Sequence, residues 1–314
     1  MFKSRKRVIL DRGPSWPDYD KAEAFMIRYY LLFRKRPKWF PFNILVHKIS
    51  KVIDKLSNKI KIIIIENSKE KKIKEKIKKY KNTKIYYVNN IGYGSSINYA
   101  AKRIKTEYFC VVQPDVLGID NSSLRLFYLY AKKLNNEFSV MGPHFLNASY
   151  KGHFQTNIKY DIKKIHNVHG SVMFFNKKVF TKLKGFDKNI FLYWEETDYT
   201  KRAKKKNLYP FQLNRIKVKH EKGKAVKTLN NFEKEKLINL YSWHFTWSKF
   251  YYFKKHYSML IALALSTPLV IRTLFKLNYY FNKDKKKYLK YQTRWKALKS
   301  SVKGEKSFLR LNNI

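Results

Sequence analysis

Three carboxylates lie within four consecutive residues of the chain, at Glu195, Glu196 and Asp198. They follow an aromatic-rich apolar run at residues 191–194, and a basic helical pattern starts after them with Thr197 as its predicted N-cap. This order is typical of a buried loop that delivers acid groups to a cleft. Carboxylates so close together repel one another, so we expect at least one to have a raised pKa unless a cation lies nearby. Such a carboxylate can serve as a general base.

A plainer interpretation of this motif is an acidic first helical turn, which the helix dipole favours. For an arbitrary Glu-Glu-x-Asp sequence we would prefer it, but the surrounding residues favour the catalytic interpretation. Gly-Phe-Asp at residues 185–187 precedes the motif, and Arg202 follows it. Together these residues closely resemble the signature of family 2 glycosyltransferases, most of all the rhamnosyltransferase-like enzymes of surface-polysaccharide assembly. The chain departs from that signature at Glu196, because the family usually has Asp there.

The resemblance implies a role for each carboxylate. Glu196 aligns with the catalytic position of the family, so it is the expected base that deprotonates an acceptor hydroxyl. Glu195 and Asp198 are expected to orient the acceptor and the loop. The residues expected on the acceptor side are Trp194, Gly170 and Ser171.

Several apolar runs in the first half of the chain end in polar residues. Residues 60–65 are an unbroken β-branched run, as expected for a strand buried on both faces. Residues 85–88 form a second strand, and the two glycines after it can let backbone approach a ligand closely. Each segment alone predicts no more than a turn, but their order matches the donor-binding segments of the resembling family. The donor-side residues that this implies are Arg36, Glu66, Asn67, Ser68, Gly92, Gly94, Asn98, Gln113 and Asp115.

A divalent cation is implied by two of these strand ends. In the family, a strand ends in Asp-x-Asp or Asn-Pro-Asp, and the last carboxylate holds a cation that bridges the two phosphates of the donor. Here residues 108–112 lead into Gln113 and Asp115, and a later strand ends at His220, which is a second metal ligand in several relatives. Oxygen ligands suit Mg²⁺ or Mn²⁺. Without the resemblance, a turn and a satisfied polar histidine would be the better interpretations.

The net charge of +47 is extreme, with 69 lysines and arginines against 22 acidic residues. Such a charge suits nucleic acid or an anionic membrane surface. Lysine far outnumbers arginine, alongside abundant Ile and Asn, as a compositional bias of the proteome would produce. Arginine-rich clusters and zinc-finger spacings are missing from the sequence. We therefore expect an anionic membrane surface, and no nucleic acid, as a partner.

Length and cysteine content indicate the domain organisation and the compartment of the protein. The 314 residues, 44% of them hydrophobic, suffice for one large domain plus an extension. The single cysteine, Cys110, excludes a disulfide framework and suits a reducing compartment. Residues 1–12 are basic but lack the apolar segment of a signal peptide.

The sequence changes character near residue 230. Residues 233–252 predict an aromatic helix, and residues 257–271 are apolar but shorter than the about 20 residues that span a bilayer. Basic residues flank this apolar segment on both sides. It is predicted either to lie in the plane of a membrane surface or to form a helical hairpin packed on the preceding domain.

We therefore predict an α/β protein with a GT-A type, Rossmann-like nucleotide-sugar-binding domain and a C-terminal helical extension. Residues 1–22 are a predicted basic arm, residues 23–228 the catalytic domain, and residues 229–314 a helical region that associates with a membrane. The implied location is the cytoplasmic face of the cytoplasmic membrane.

The resemblance implies an inverting, metal-dependent glycosyltransferase of surface-polysaccharide (O-antigen type) synthesis. It would move a sugar from dTDP-rhamnose or another nucleoside-diphosphate hexose to a growing glycan or a lipid-linked acceptor. The alternative is a non-catalytic protein, either a degenerate transferase fold or a basic protein that binds nucleic acid or membrane. Gln113 and the altered loop after the first strand favour the alternative, whereas the intact Glu-Glu-x-Asp motif and His220 oppose it.

Overall fold

The structure is a computed structural model that describes residues 24–29, 53–56, 59–67, 72–146, 160–220 and 231–310. The predicted arm at residues 1–22 and the predicted site residues Arg36 and Ser68 lie outside these ranges. Within them, nine strands form one mixed sheet in the order β3-β2-β1-β4-β8-β6-β9-β5, and β7 pairs with β9. The strands are β1 (Ala24–Tyr29), β2 (Lys61–Glu66), β3 (Thr83–Tyr87), β4 (Tyr108–Val112), β5 (Val116–Leu117), β6 (Phe138–Phe145), β7 (Ile162–Lys164), β8 (Val172–Asn176) and β9 (Tyr209–His220).

Four parallel strands, β3, β2, β1 and β4, form one half of the sheet. Their carboxyl ends meet at one edge, where an open α/β sheet binds its ligands. Every residue of β4 and all but the first of β2 are buried, as their unbroken apolar runs predict. The sheet therefore brings the residues after Glu66 and after Val112 to the same edge.

The other half of the sheet is mainly antiparallel, and its register positions two predicted site residues. β8 pairs antiparallel with β4, so that Val172 lies opposite Val112. The long strand β9 pairs with the short strand β5, and Val116 lies opposite His220. Because Asp115 directly precedes Val116, this pairing places it beside His220, 105 positions away by their residue numbers.

Apolar side chains cover both faces of the sheet. Successive side chains of a strand point to opposite faces, and β8 shows the consequence with two phenylalanines. Phe174 belongs to one buried cluster and stacks on Phe127, with ring centroids 5.0 Å apart. Phe175 belongs to the other cluster, which also includes Tyr199 of the acidic helix. The acidic helix is thus fixed to the sheet through its own apolar side.

Eight helices lie within the described residues. They are α1 (Lys72–Ile77), α2 (Tyr93–Ala101), α3 (Asn121–Lys133), α4 (Lys177–Lys182), α5 (Glu195–Lys204), α6 (Asn231–His256), α7 (Met259–Tyr280) and α8 (Lys285–Val302). The last three pack on one another, and α6 also contacts the sheet domain.

The prediction that the apolar C-terminal segment is short is wrong. The helix α7 has 22 residues because it continues beyond residue 271 and keeps Pro268 in its interior. Among the described residues it is the one helix long and apolar enough to cross a membrane, by length and composition alone. Its buried residues are few, namely Ala262, Ser266 and Thr273. Most of its apolar surface therefore has no covering within the described fold.

Candidate active site

The acidic motif forms the first turn of α5. The helix begins at Glu195, and its N-cap is Trp194, so the prediction of Thr197 as N-cap is wrong. The reason is the backbone conformation of the two preceding residues, since Tyr193 and Trp194 have φ values of 66° and 71°. This left-handed conformation is uncommon for bulky residues and is often found at functional sites.

The first helical turn gives the three carboxylates different surroundings. Glu195 and Asp198 are almost completely buried, whereas Glu196 is partly exposed. A helix turns by about 100° per residue, so neighbouring side chains face different sides. As a result only Glu196, among the three, lines a cavity.

The cavity beside Glu196 has a volume of about 570 Å³ and lies between α5 and α6. Burial raises the pKa of the Glu196 carboxyl above its ordinary value, and hydrogen bonding to the backbone of Glu196 and Gly170 opposes this rise. A Cβ atom at Gly170 would lie only 3.0 Å from Oε1 of Glu196. Gly170, predicted on the acceptor side, therefore lies beside the predicted base. The lining residues are mostly aromatic or basic and include Tyr193, Trp194, Lys201, Lys204, Phe245, Tyr252, Phe253 and Tyr257.

Asp198 lies at the centre of an ionic network. Its carboxylate accepts hydrogen bonds from Arg202 Nε at 2.8 Å, from Lys255 Nζ at 2.5 Å and from His256 Nε2 at 2.8 Å. Burial alone would raise the pKa of Asp198, but the bond from His256 and the charges of Arg202 and Lys255 outweigh it and lower the pKa to about 2. Asp198 thus joins α5 to α6. With its carboxylate enclosed, it does not face the cavity.

The residues of the Gly-Phe-Asp segment belong to the same network. Arg202 donates to the carbonyl of Gly185 at 2.6 Å. Asp187 accepts bonds from Lys255 Nζ at 2.7 Å and from the Tyr251 hydroxyl at 3.0 Å. The motif residues on both sides of the acidic turn are therefore bound to one another.

Three residues predicted to bind the donor have packing roles. Asn98 donates to the carbonyl of Phe186 at 2.8 Å and accepts from its N–H at 2.9 Å, so its amide is occupied by the Gly-Phe-Asp segment. A Cβ atom at Gly94 would lie 2.7 Å from Cβ of Phe186, and one at Gly92 would lie 2.7 Å from the carbonyl oxygen of Phe191. The two glycines therefore allow α2 to approach the acidic loop closely.

Buried polar atoms also lie among the residues predicted to bind the donor. Neither amide atom of Asn67 nor Oδ1 of Asp115 has a hydrogen-bond partner among the described residues. Oδ2 of Asp115 lies 3.2 Å from Nε2 of His220. Glu66 is fully buried at the end of β2. These atoms provide oxygen and nitrogen donors that a ligand or cation can use.

Asp115 and His220 are the two groups that would hold a cation. The described residues contain no group of three or more His, Cys, Asp or Glu side chains arranged to hold a metal ion. A cation bound here would therefore take its other ligands from water or from the oxygens of a bound molecule. Divalent Mg²⁺ is commonly bound in this way, by one or two carboxylates together with substrate phosphates.

The predicted donor and acceptor sides meet in the structure. The backbone N–H of Gln113 donates to the carbonyl of Ser171 at 2.8 Å, because β4 and β8 are neighbours. The Ser171 hydroxyl lies 2.7 Å from Nδ1 of His169. The ring of His169 lies 5.3 Å from that of His220. A series of neighbouring contacts therefore links Asp115 and His220 to the Gly170-Ser171 pair beside Glu196.

Two further residues near this site, Tyr241 and His169, are not predicted from the sequence. Tyr241 of α6 lies near Asp115, whose charge adds to burial in raising the pKa of the Tyr241 hydroxyl. Its ring also contacts that of Tyr193, with centroids 6.0 Å apart. No local pattern marks Tyr241 in an aromatic-rich helix. His169 had a weak signal, since it directly precedes the Gly170-Ser171 pair.

Comparison with solved structures defines the fold class. Staphylococcus aureus TarS (residues 1–349) aligns with a TM-score of 0.51 and 12% identity, over 91% of this chain and 93% of that chain. The mannosyltransferase PcManGT from Pyrobaculum calidifontis, in complex with GDP-Man and Mn²⁺, aligns with a TM-score of 0.54 and 9% identity, over 93% and 91% of the two chains. Both are glycosyltransferases of the GT-A type. This confirms the predicted α/β, GT-A type fold with C-terminal helices.

One curated relative is similar to this chain in amino-acid sequence. The chain is 22% identical over 185 residues to the low-salt glycan biosynthesis hexosyltransferase Agl10 of Haloferax volcanii. The match covers 51% of this chain and 58% of the relative, so the chain spans little more than half of that protein. No protein-family model matches the sequence.

We expect Asp198→Asn to destabilise the fold at neutral pH by about 2 kcal/mol, since a pKa lowered from 3.8 to about 2 corresponds to that free energy. Because the folded-state pKa lies below the ordinary value, the charge of Asp198 stabilises the fold fully above about pH 4. This contribution is lost as the pH falls through about 2. Urea unfolding at several pH values, followed by circular dichroism, measures the difference from wild type.

Glu107→Gln is the control for this comparison, because it removes an exposed ion pair with Lys132. Exposed pairs contribute at most about 1 kcal/mol. If Asp198→Asn were equally destabilising at pH 7 and at pH 2 or below, the charge of Asp198 would not be the stabilising factor.

Proposed function

We propose that the protein is a glycosyltransferase that transfers a hexose from a nucleotide sugar to an acceptor hydroxyl. The proposal rests on one observation: Glu196, in the acidic turn, lines a cavity, and the pKa of its carboxyl is raised. The GT-A type fold and the similarity to a hexosyltransferase support it. The inverting mechanism, the donor and the acceptor described below are parts of this proposal.

In the proposed reaction, Glu196 accepts the proton of an acceptor hydroxyl bound in the cavity. The hydroxyl oxygen then forms a bond to the anomeric carbon of the donor sugar. The bond from that carbon to the diphosphate breaks, and the nucleoside diphosphate leaves with the electron pair. A single displacement of this kind inverts the configuration of the anomeric carbon. Desolvation of Glu196 suits this role, because a base is most effective when its pKa approaches the working pH.

Other residues of the chain position the reacting groups. Glu195 is buried against Gly94, and its Cγ lies 3.3 Å from the position that a Cβ atom at Gly94 would take. It therefore packs the acidic loop against α2. The Trp194 ring lies against Tyr252, with centroids 5.1 Å apart. It offers a flat surface in the cavity for a sugar ring.

Asp115 and His220 are the proposed ligands of a divalent cation, Mg²⁺ or Mn²⁺. The buried Oδ1 of Asp115 has no hydrogen-bond partner among the described residues, and a carboxylate paired with an imidazole is a suitable donor set. When bound, the cation stabilises the negative charge that develops on the leaving diphosphate. The Mn²⁺ held by PcManGT supports this part of the proposal.

For the donor we propose a nucleoside-diphosphate hexose, with dTDP-rhamnose as the first candidate from the motif resemblance. The acceptor would be a growing glycan or a lipid-linked saccharide of surface-polysaccharide synthesis. A screen of the purified protein against nucleotide sugars, read by released nucleoside diphosphate, tests the donor. Release from none of them would favour the non-catalytic alternative.

We further propose that α7 holds the protein against the anionic, cytoplasmic face of a membrane. The side chains of Leu260, Ile271 and Phe275 are exposed by 79%, 63% and 62%. Basic residues flank α7 in the chain at both ends, including Lys254 and Lys283. The alternative is that α7 belongs to a helical hairpin packed on the preceding domain, and the exposed apolar side chains of α7 favour the membrane.

Glu196→Gln should lower turnover by about a hundredfold or more, the usual scale for the loss of a general base. Donor and metal binding should be unchanged, because Glu196 lies on the acceptor side. In the wild type, activity should fall on the acid side with an apparent pKa above the ordinary 4.5, and the variant should lack this limb. Glu137→Gln, at an exposed position, is the control. Wild-type turnover in Glu196→Gln would exclude Glu196 as the base.

Chelation should abolish transfer, and Mg²⁺ or Mn²⁺ should restore it. Asp115→Ala should raise the metal concentration needed for half-maximal activity at least about tenfold, since it removes one of two protein ligands. Titration calorimetry with Mn²⁺ and the nucleoside diphosphate should show the same weakening, and Glu196→Gln should bind the metal normally. Full activity in excess chelator would instead mean that basic side chains stabilise the leaving group.

Replacing Leu260, Ile271 and Phe275 with Gln should abolish flotation with anionic vesicles if α7 is the anchor. The matched control replaces three exposed apolar residues elsewhere with Gln, at Leu129, Leu146 and Ile238. The control should float like the wild type. Equal flotation of both variants would refute the anchor, and release by high salt alone would show that the basic residues dominate.

A further inference from the structure

Two lysines line the cavity beside Glu196. Lys201 and Lys204 follow Glu196 by five and eight residues on α5, which places them about 7.5 and 12 Å further along the helix axis. Both are partly buried. A group held by these lysines would therefore lie far enough from Glu196 for a sugar to fit between them.

The partners of both lysines are neutral oxygens. Lys201 Nζ lies 3.1 Å from the hydroxyl of Tyr257, and Lys204 Nζ donates to the carbonyl of His166 at 2.8 Å. Neither lysine forms an ion pair with a carboxylate of the described residues. Burial, and then the charge of Lys201, lower the pKa of Lys204. Two neighbouring lysines that form no ion pair favour the binding of an anion.

The aromatic wall of the same cavity suits a sugar. Trp194 lies 5.1 Å from Tyr252 and 5.8 Å from Phe253, measured between ring centroids, and Phe245 lies at 6.1 Å. The buried indole Nε1 of Trp194 has no hydrogen-bond partner among the described residues. Trp194 also lines the cavity, so this unpaired donor belongs to a residue of the cavity wall.

The cavity also adjoins the apolar surface of α7. Tyr257 lines the cavity, and α7 begins two residues later at Met259. Leu260 and Ile261, 79% and 44% exposed, are the next residues of the chain. A molecule with its head group in the cavity can therefore extend an apolar chain along α7.

We propose that the cavity binds an acceptor that carries a phosphate group, with Lys201 and Lys204 on the phosphate and the aromatic wall on the sugar. The inference rests on the proposed function, because it takes the cavity to be the acceptor side. Beyond that function, these two lysines select phosphorylated over uncharged acceptors. The phosphate belongs either to a free sugar phosphate or to the head group of a lipid-linked saccharide.

Binding of three probes to the full-length protein tests the proposal, by titration calorimetry at fixed salt and without donor. The probes are a hexose 1-phosphate, the methyl hexoside of the same sugar, and an alkyl diphosphate of that sugar in detergent micelles. The double substitution Lys201→Gln with Lys204→Gln should weaken binding of both phosphorylated probes about tenfold or more, as expected for lost charge-assisted hydrogen bonds. Binding of the methyl hexoside should not change.

The matched control is the double substitution Lys205→Gln with Lys206→Gln. These two lysines are exposed and directly follow α5, so the change in net charge is the same. The control should bind all three probes like the wild type, and Lys201→Arg with Lys204→Arg should restore most of the phosphate affinity. Equal weakening by both Gln pairs, or unchanged phosphate binding in the Lys201 and Lys204 variant, would overturn the proposal.

The same measurements separate the two sources of the phosphate. If the alkyl diphosphate binds at least tenfold more tightly than the hexose 1-phosphate, and the Gln variant of α7 removes this gain, the acceptor is lipid-linked. Equal binding of the two probes, both dependent on the lysines, assigns a free sugar phosphate. Because no donor is present, these results do not depend on transfer activity. Release of nucleoside diphosphate, measured separately, tests the proposed function.

Discussion

The buried ionic network around Asp198 is the interaction on which the site depends. Its carboxylate is fully buried and is matched by Arg202 on its own helix and by Lys255 and His256 on α6. A buried charge without such partners would cost several kcal/mol. The acidic helix can therefore take its place only when α6 is packed against it. Arg202 extends the network to the carbonyl of Gly185, so the loop before the helix is fixed as well.

This network explains why three neighbouring carboxylates behave differently. Asp198 is held ionised by its cations, Glu195 is buried against α2, and Glu196 remains at the cavity with a raised pKa. Pairs of acids whose environments separate their pKa values are a common arrangement in enzymes that use a general base. Here the separation comes from burial and partners, since the residue types are nearly the same. The mutual repulsion expected from the sequence is relieved by the cations on Asp198.

The predicted boundary between residues 228 and 229 stays a prediction, but the candidate site extends across it. Tyr241 lies near Asp115, His256 binds Asp198, and Tyr252 faces the Trp194 ring. The α6 helix therefore supplies one wall of the cavity and part of the support for the acidic turn. The same helix leads directly into α7, whose apolar surface is exposed. Membrane contact at α7 would for this reason act close to the cavity.

The sequence alone determined several of the buried strands, the polar residues that follow them and the presence of an acidic turn, whereas the short strands β5 and β7 have no such signal. Unbroken apolar runs such as residues 60–65 are local signals, and parallel strands necessarily bring their carboxyl ends to one edge. Only the tertiary structure decided what those residues contact. From the sequence, Asn98, Gly92 and Gly94 are predicted to contact a ligand. In the structure they pack against Phe186 and Phe191, which lie about ninety residues away in the chain. Pairing of β5 with β9 placed Asp115 beside His220, and packing of α6 selected Tyr241 from a helix full of aromatic residues. Contacts of this kind depend on strand register and on helix packing between distant segments. A local sequence pattern does not specify them.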